Sequence, residues 1–285
     1  MKEFPIPVVV EAGSQPPDED GVELDYMQLP TETWTYEVPV VPEPEEIQGL
    51  ERGIEFLGTL AAALANQAPE APATVLSLAG LDDANLQLID QVLGNGEVSI
   101  IYEGPVKARV QESVLAGVWR VQYLSDDESV ERDVIEVGAI PTLISDGVFN
   151  NAEDDLPVDP AALPAGLANA PSLLVEIADK LRFAKEHAEP YIVNLSLLPN
   201  TDEDLQYLIE KLGSGPAVIL SRGYGNCRIT STGTRNVWWV QYFNSQDALI
   251  LNTVEISKVP AVACAAREDL EDSAERLTEI LEVYR

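Results

Sequence analysis

Val118-Trp119-Arg120-Val121-Gln122-Tyr123 returns 119 residues later as Val237-Trp238-Trp239-Val240-Gln241-Tyr242. The same spacing relates Leu76-Ser77-Leu78 to Leu195-Ser196-Leu197, Leu86-Gln87 to Leu205-Gln206, and Gly94-Asn95-Gly96 to Gly213-Ser214-Gly215. It then holds without a gap through Glu136 and Glu255 to Pro141 and Pro260. One spacing kept over so many separate matches means duplication, and a period this long marks duplicated modules rather than a solenoid. Strand alternation puts Trp119, Val121 and Tyr123 on one face, with Trp238, Val240 and Tyr242 as their counterparts. A trio kept in both copies reads as core. The other face carries Val118, Arg120 and Gln122 in the first copy and Val237, Trp239 and Gln241 in the second. Here an arginine answers to a tryptophan, and an aromatic with a polar handle on the less buried face is a candidate interaction anchor. The competing expectation is that Trp239 packs between the modules or under the N-terminal arm.

Residues 47–67 and 172–187 carry apolar side chains at helical spacing, as in Leu50, Ile54, Leu57 and Ala61. Short buried strands are expected at 74–78 and 191–197, followed by helices opened by Asp82 and Thr201 that end at the Gly-x-Gly turns. Those turns read as helix C-caps, because a phosphate loop would have to precede its helix. Strands follow near 98–102, 108–111, 117–124 and 130–137, with counterparts in the second copy. The fold class is therefore α/β (α+β): two tandem repeated modules, each with helices packed on a mainly antiparallel sheet, related by a pseudo-two-fold. Both copies keep an arginine and a glutamate, Arg109 with Glu136 and Arg228 with Glu255, which are expected to pair across strands. The expected organisation is a proline-rich acidic arm over 1–46, a first module over 47–145, a linker over 146–171, and a second module with a C-terminal helix over 172–285. The arm holds eight of the twenty prolines, with anchors at Phe4, Ile6, Tyr26, Met27, Trp34 and Tyr36.

The 285 residues include 49 Asp+Glu against 17 Lys+Arg, a formal charge of −32 and a pI near 4.1. With 46% apolar residues, this acidity belongs to the surface of a globular protein. A phosphate backbone or an anionic leaflet would be repelled, which argues against nucleic acid and membrane partners. Salt adaptation is the competing explanation of the charge. One histidine (His187) and two cysteines (Cys227, Cys264) leave little vocabulary for metal or nucleophile chemistry, and no catalytic, metal or cofactor site is expected. His187 reads as a cation at a helix C-terminus, Cys264 as a small buried side chain, and Cys227, beside Arg228, as a thiol whose pKa could be lowered. Gly223-Tyr224-Gly225-Asn226 reads as a hairpin turn. With no long apolar run and no signal peptide, the chain reads as cytoplasmic. The residues singled out for partner binding are Trp239, Gln241, Arg120, Gln122, Trp34 and Tyr36.

Several stretches together resemble a known family: Phe4-Pro5-Ile6-Pro7-Val8, Gly13-Ser14-Gln15-Pro16, Asp25-Tyr26-Met27, Thr35-Tyr36 and Val41-Pro42-Glu43 in the arm, the Val-Trp-x-Val-Gln-Tyr strand, and Val259-Pro260-Ala261 with 267–277 at the end. The chain resembles hydrogenase expression/formation proteins of the HupH/HyaF/HoxQ type over nearly its whole length. The resemblance implies a non-enzymatic cytoplasmic chaperone in maturation of a membrane-bound [NiFe] hydrogenase, acting on the precursor of the iron-sulfur small subunit before twin-arginine export. It leaves room for a second hydrogenase accessory protein in the complex and transfers no catalytic residues. The alternatives are a generic acidic scaffold that forms a homodimer through the face bearing Trp239, and a carboxylate-dependent hydrolase.

Overall fold

A computed structural model describes residue 42 and residues 47–158, 164, 166–184, 189–222 and 225–284. The first copy runs α1 (Glu51–Asn66), β1 (Thr74–Ser77), α2 (Asp83–Leu93), β2 (Val98–Glu103), β3 (Lys107–Glu112), β4 (Val118–Leu124) and β5 (Val130–Val137). The second runs α3 (Ala170–Ala184), β6 (Tyr191–Asn194), α4 (Asp202–Leu212), β7 (Ser214–Ser221), β8 (Asn226–Thr232), β9 (Val237–Phe243) and β10 (Leu249–Ile256), and a last helix, α5 (Arg267–Glu282), follows. The starts are set by side chains: Asp82 accepts the N–H of Asn85, and Thr201 and Asp204 form a reciprocal capping box. The Gly-x-Gly turn stops α2 as expected. Gly94 has φ 53° and donates its N–H to the Asp90 carbonyl, while a Cβ on Gly96 would lie 2.2 Å from the Ser113 carbonyl oxygen.

The ten strands of the described residues form one antiparallel sheet in the order β1-β5-β4-β3-β2-β7-β8-β9-β10-β6. The modules join through β2 and β7, where Ile100 lies opposite Ile219, the same position of the two copies. The pseudo-two-fold axis therefore passes through this pair. On one face a buried row runs Val134, Val121, Val110, Ile100, Ile219, Ile229, Val240 across both modules. Trp119 and Trp238 are fully buried on this face, and their indole N–H groups donate to the carbonyls of Gly138 and Ser257 at 2.9 and 3.2 Å. The tryptophans and valines of the repeated trio are core, as the alternation implied, while Tyr123 and Tyr242 are half-buried and pack against it. Ile140, Ile144, Val148 and Phe149 complete this core, Phe149 lying edge-on to Trp238 with ring centroids 5.1 Å apart. The stretch read as the start of the linker thus begins inside the core, because its apolar side chains cover the exposed face of the shared sheet.

The opposite face carries two separate cores, one under α1 and α2 and one under α3 and α4. Each module sends its following segment to the other. After β5 the chain bridges Glu153 to Thr234 and buries Leu156 in the second module's core. After β10 the Ala265 N–H donates to the Ala139 carbonyl, and α5 buries Leu270, Leu277 and Leu281 beside Leu57, Leu60 and Leu64 of α1. Sequence order attached α5 to the second module; its apolar stripe packs in the first, where α1 presents a matching face.

The first helix of each copy is tied down in the same way. The Gly53 N–H donates to Asn85 Oδ1 at 2.7 Å, and the Ala170 N–H to Asp204 Oδ1 at 2.9 Å. Asn85 and Asp204 keep the spacing of 119, but Gly53 and Ala170 are 117 apart, so the repeat slips by two residues between its first helix and its sheet. The expected arginine–glutamate pairs are not made across the strands. Arg109 lies opposite Gln122 and Ile101, whereas Glu136 lies opposite Trp119, on the other face; Glu136 accepts the N–H of Thr142. In the second copy Arg228 lies opposite Gln241, while Glu255 lies opposite Trp238 and accepts from Ser257. Strand alternation separates each pair.

Candidate functional site

On the helix-covered face the two-fold exchanges Arg120 with Trp239, Asp133 with Asn252, Gln122 with Gln241, and Arg109 with Arg228. In the first copy the Arg120 guanidinium holds Asp133 with Nε at 3.1 Å and Nη2 at 2.7 Å, and its Nη1 bonds Asp90 on α2. Burial works against that charge, and the bonds from Asp133 and Asp90 outweigh it, so the guanidinium stays protonated. Gln122 donates to the same Asp133 carboxylate at 3.1 Å. In the second copy the cross-strand contact survives with other chemistry: the Trp239 indole N–H donates to Asn252 Oδ1 at 2.6 Å.

That contact corrects the reading of Trp239. It is 5% exposed and belongs to the core that α3 and α4 cover, and Gln241 beside it is also buried. Trp239 is not an exposed anchor, and it is not a contact for a second copy, because the helices of its own module already cover it. The arginine-to-tryptophan change is a swap of one sheet-to-helix tie for another.

Arg120 and Gln122 do reach a cavity. A cleft of about 430 Å³ between the end of α2 and the middle of β3 and β4 is lined by Asp90, Asn95, Arg109, Gln111, Arg120 and Gln122. Gln111 donates its amide to the carbonyls of Gly96, Val98 and Glu112 at 3.0–3.3 Å, and its buried Oε1 has no hydrogen-bond partner among the described residues. Sequence reasoning missed Asp90, Gln111 and Asp133. The available signal was that Arg120 and Asp133 both change in the second copy, to Trp239 and Asn252.

The thiols are quiet. Burial pushes Cys227 up to about 12, against the lowering considered from sequence, and Cys264 up to about 11. Trp34, Tyr36, His187, Gly223 and Tyr224 lie outside the described residues. Among the described residues no group of three or more His, Cys, Asp or Glu side chains is placed to hold a metal ion, and no helix is long and apolar enough to cross a membrane.

Comparison with known proteins bears on both modules. The family model for the HupH hydrogenase expression protein, C-terminal conserved region, matches twice, over residues 53–154 and 167–284. Hydrogenase expression/formation protein HoxQ of Cupriavidus necator is 47% identical over 282 residues, covering 99% of this chain and 98% of that protein. Hydrogenase expression/formation protein HupH of Rhodobacter capsulatus is 44% identical over 98% of this chain and 97% of its own length. Hydrogenase-1 operon protein HyaF of Escherichia coli is 30% identical over 94% of this chain and 93% of its own. The solved structure of hydrogenase expression protein HupH from Thiobacillus denitrificans is 32% identical, covers 39% of this chain and 92% of that one, and superposes with a TM-score of 0.37. A model that matches once in each copy, and relatives that align from end to end, place the whole duplicated chain in one family: it belongs to the HupH hydrogenase expression proteins.

Proposed function

We propose that this chain is a cytoplasmic, non-enzymatic chaperone in the maturation of a membrane-bound [NiFe] hydrogenase, and that it holds the precursor of the iron-sulfur small subunit before twin-arginine export. The observation that carries the reading is the coverage of the similarity: both modules align with proteins named for hydrogenase expression and formation. The chemistry supports a holding role. A precursor with a basic export signal is drawn to a protein of charge −32, which raises the encounter rate and disfavours acidic competitors. A buried thiol, Cys227, and a half-buried one, Cys264, both stay protonated at neutral pH and are poor ligands for iron, so shielding a cluster-bearing subunit fits the chain better than donating a cluster to it.

The test is co-purification. The tagged chain is recovered from a hydrogenase-expressing host and its companions are identified by mass. The small subunit with its signal uncleaved is the expected companion. Recovery of the chain alone, or only with itself, overturns the reading.

A further inference from the structure

The duplication supplies an internal control for the protein surface. Leu78 in the first copy is 3% exposed, whereas its counterpart Leu197 is 78% exposed. Around it the second copy has Leu198 where the first has Ala79 and Ile250 where the first has Glu131, while Leu249 replaces Val130, which is itself exposed. Leu198, Leu249 and Ile250 are all exposed, Ile250 to 61%. These side chains share one place. β10 pairs with β6 and packs on the turn Leu195–Leu197 that follows it, with the Asn252 N–H donating to Ser196 Oγ at 2.8 Å. β6 is also the last strand of the sheet, and Ile192 on it is 58% exposed. Among the described residues no strand pairs with the outer side of β6, so the apolar cluster adjoins an edge where main-chain N–H and C=O groups can pair with an added strand. Residues 189–204 and 244–251, which carry the cluster, contain the exposed acids Glu189, Asp202, Glu203 and Asp247 and no lysine or arginine; the cation at the edge strand is Lys180 of α3, whose ammonium lies over the Tyr191 ring at 4.7 Å and is engaged there.

We infer that this edge of the second module is a docking surface for an apolar polypeptide segment flanked by lysine or arginine. The apolar cluster takes the segment's side chains and the acidic rim takes its flanking charges. A second copy is the wrong occupant: it would bring the same acids and another −32 against this rim. The inference names the surface that would serve the proposed chaperone role, and it rests on that role only for the identity of the natural client.

The test returns the surface to its first-copy chemistry with the double variant L198A/I250E. Both sites are exposed and the replacements already occur at the equivalent places of the first copy, so the fold is retained. The probe is a synthetic peptide with about ten apolar residues and an arginine pair at each end; a companion peptide has glutamate in place of arginine. The parent is expected to bind the arginine peptide about tenfold or more tighter than the variant does, and tighter than it binds the glutamate peptide. Raising salt from about 50 to 500 mM is expected to weaken the binding. Equal binding by parent and variant, or equal binding of the two peptides, overturns the inference. A parent dimer that L198A/I250E dissolves in sedimentation also overturns it, by giving the patch to a second copy. Precursor captured equally by parent and variant overturns the surface and leaves the chaperone role standing. Peptide binding that the variant abolishes, with no precursor captured by either, supports the surface and overturns that role.

Discussion

Glu112 ends β3 with its side chain almost out of solvent, where Oε1 accepts the Gly117 N–H at 3.2 Å. Burial raises its pKa from an ordinary 4.5 to about 7; the Gly117 bond opposes the rise, and the charges of Glu97 and Asp269 add to it. The sign follows from proton counting. Between about 4.5 and 7 the folded chain keeps a proton that the unfolded chain has lost, so stability falls as pH rises through that window. Glu112→Gln keeps an acceptor for Gly117 and removes the titration. The variant is expected to match the parent near pH 4 and to exceed it at pH 8 by up to roughly 2–3 kcal/mol in urea unfolding. A parent whose midpoint is flat from pH 5 to 8 contradicts the assignment. Trp239 shows the limit of reading single residues. Its place on the strand was legible from alternation, but its burial under α3 and α4 was not, because strand period says which side a residue faces and not what covers that side.

Asp204 shows how much one side chain can hold between elements. It is fully buried, and its Oδ1 accepts the N–H groups of Ala168, Asn169 and Ala170 at 2.9–3.0 Å while Oδ2 accepts that of Thr201. Burial opposes the charge, but the N–H groups of Ala170, Thr201, Asn169 and Ala168 hold the carboxyl below the usual carboxylate range. The stability this contributes is present above the unfolded pKa and is lost as pH falls through the folded one. Asp204→Ala leaves the first turn of α3 without its acceptor and is expected to cost roughly 2–4 kcal/mol in chemical denaturation. Asp204→Asn, the residue the first copy uses as Asn85, is expected to cost less than half of that. If both variants unfold with the parent, the tie between α3 and α4 is not structural. Elements were the level best read from sequence. β5 spans the expected 130–137, and α2 and α4 begin at their expected caps. The slip from 119 to 117 was hidden, because helices α1 and α3 share a buried stripe and no residue motif that would fix their register.

At the scale of the molecule the two copies share one sheet and exchange their following segments. The β2–β7 pairing joins residues 119 apart, a non-local contact that no window of sequence reports. The exchange makes each core depend on both copies: α5 closes the first and Leu156 helps close the second. Leu277→Ala, at a fully buried position of α5, is expected to cost about 2–5 kcal/mol and to lower one shared unfolding transition followed by tryptophan fluorescence of Trp119 and Trp238. Two separated transitions would mean that the modules fold apart. The most direct test of the whole account is calorimetric titration of the purified chain with a small-subunit precursor that carries its export signal and, in parallel, with the mature small subunit that lacks it. The account predicts binding of the precursor that weakens as salt rises, and binding of the mature subunit about tenfold weaker or more. Equal affinity for the two, or no heat with either, contradicts it.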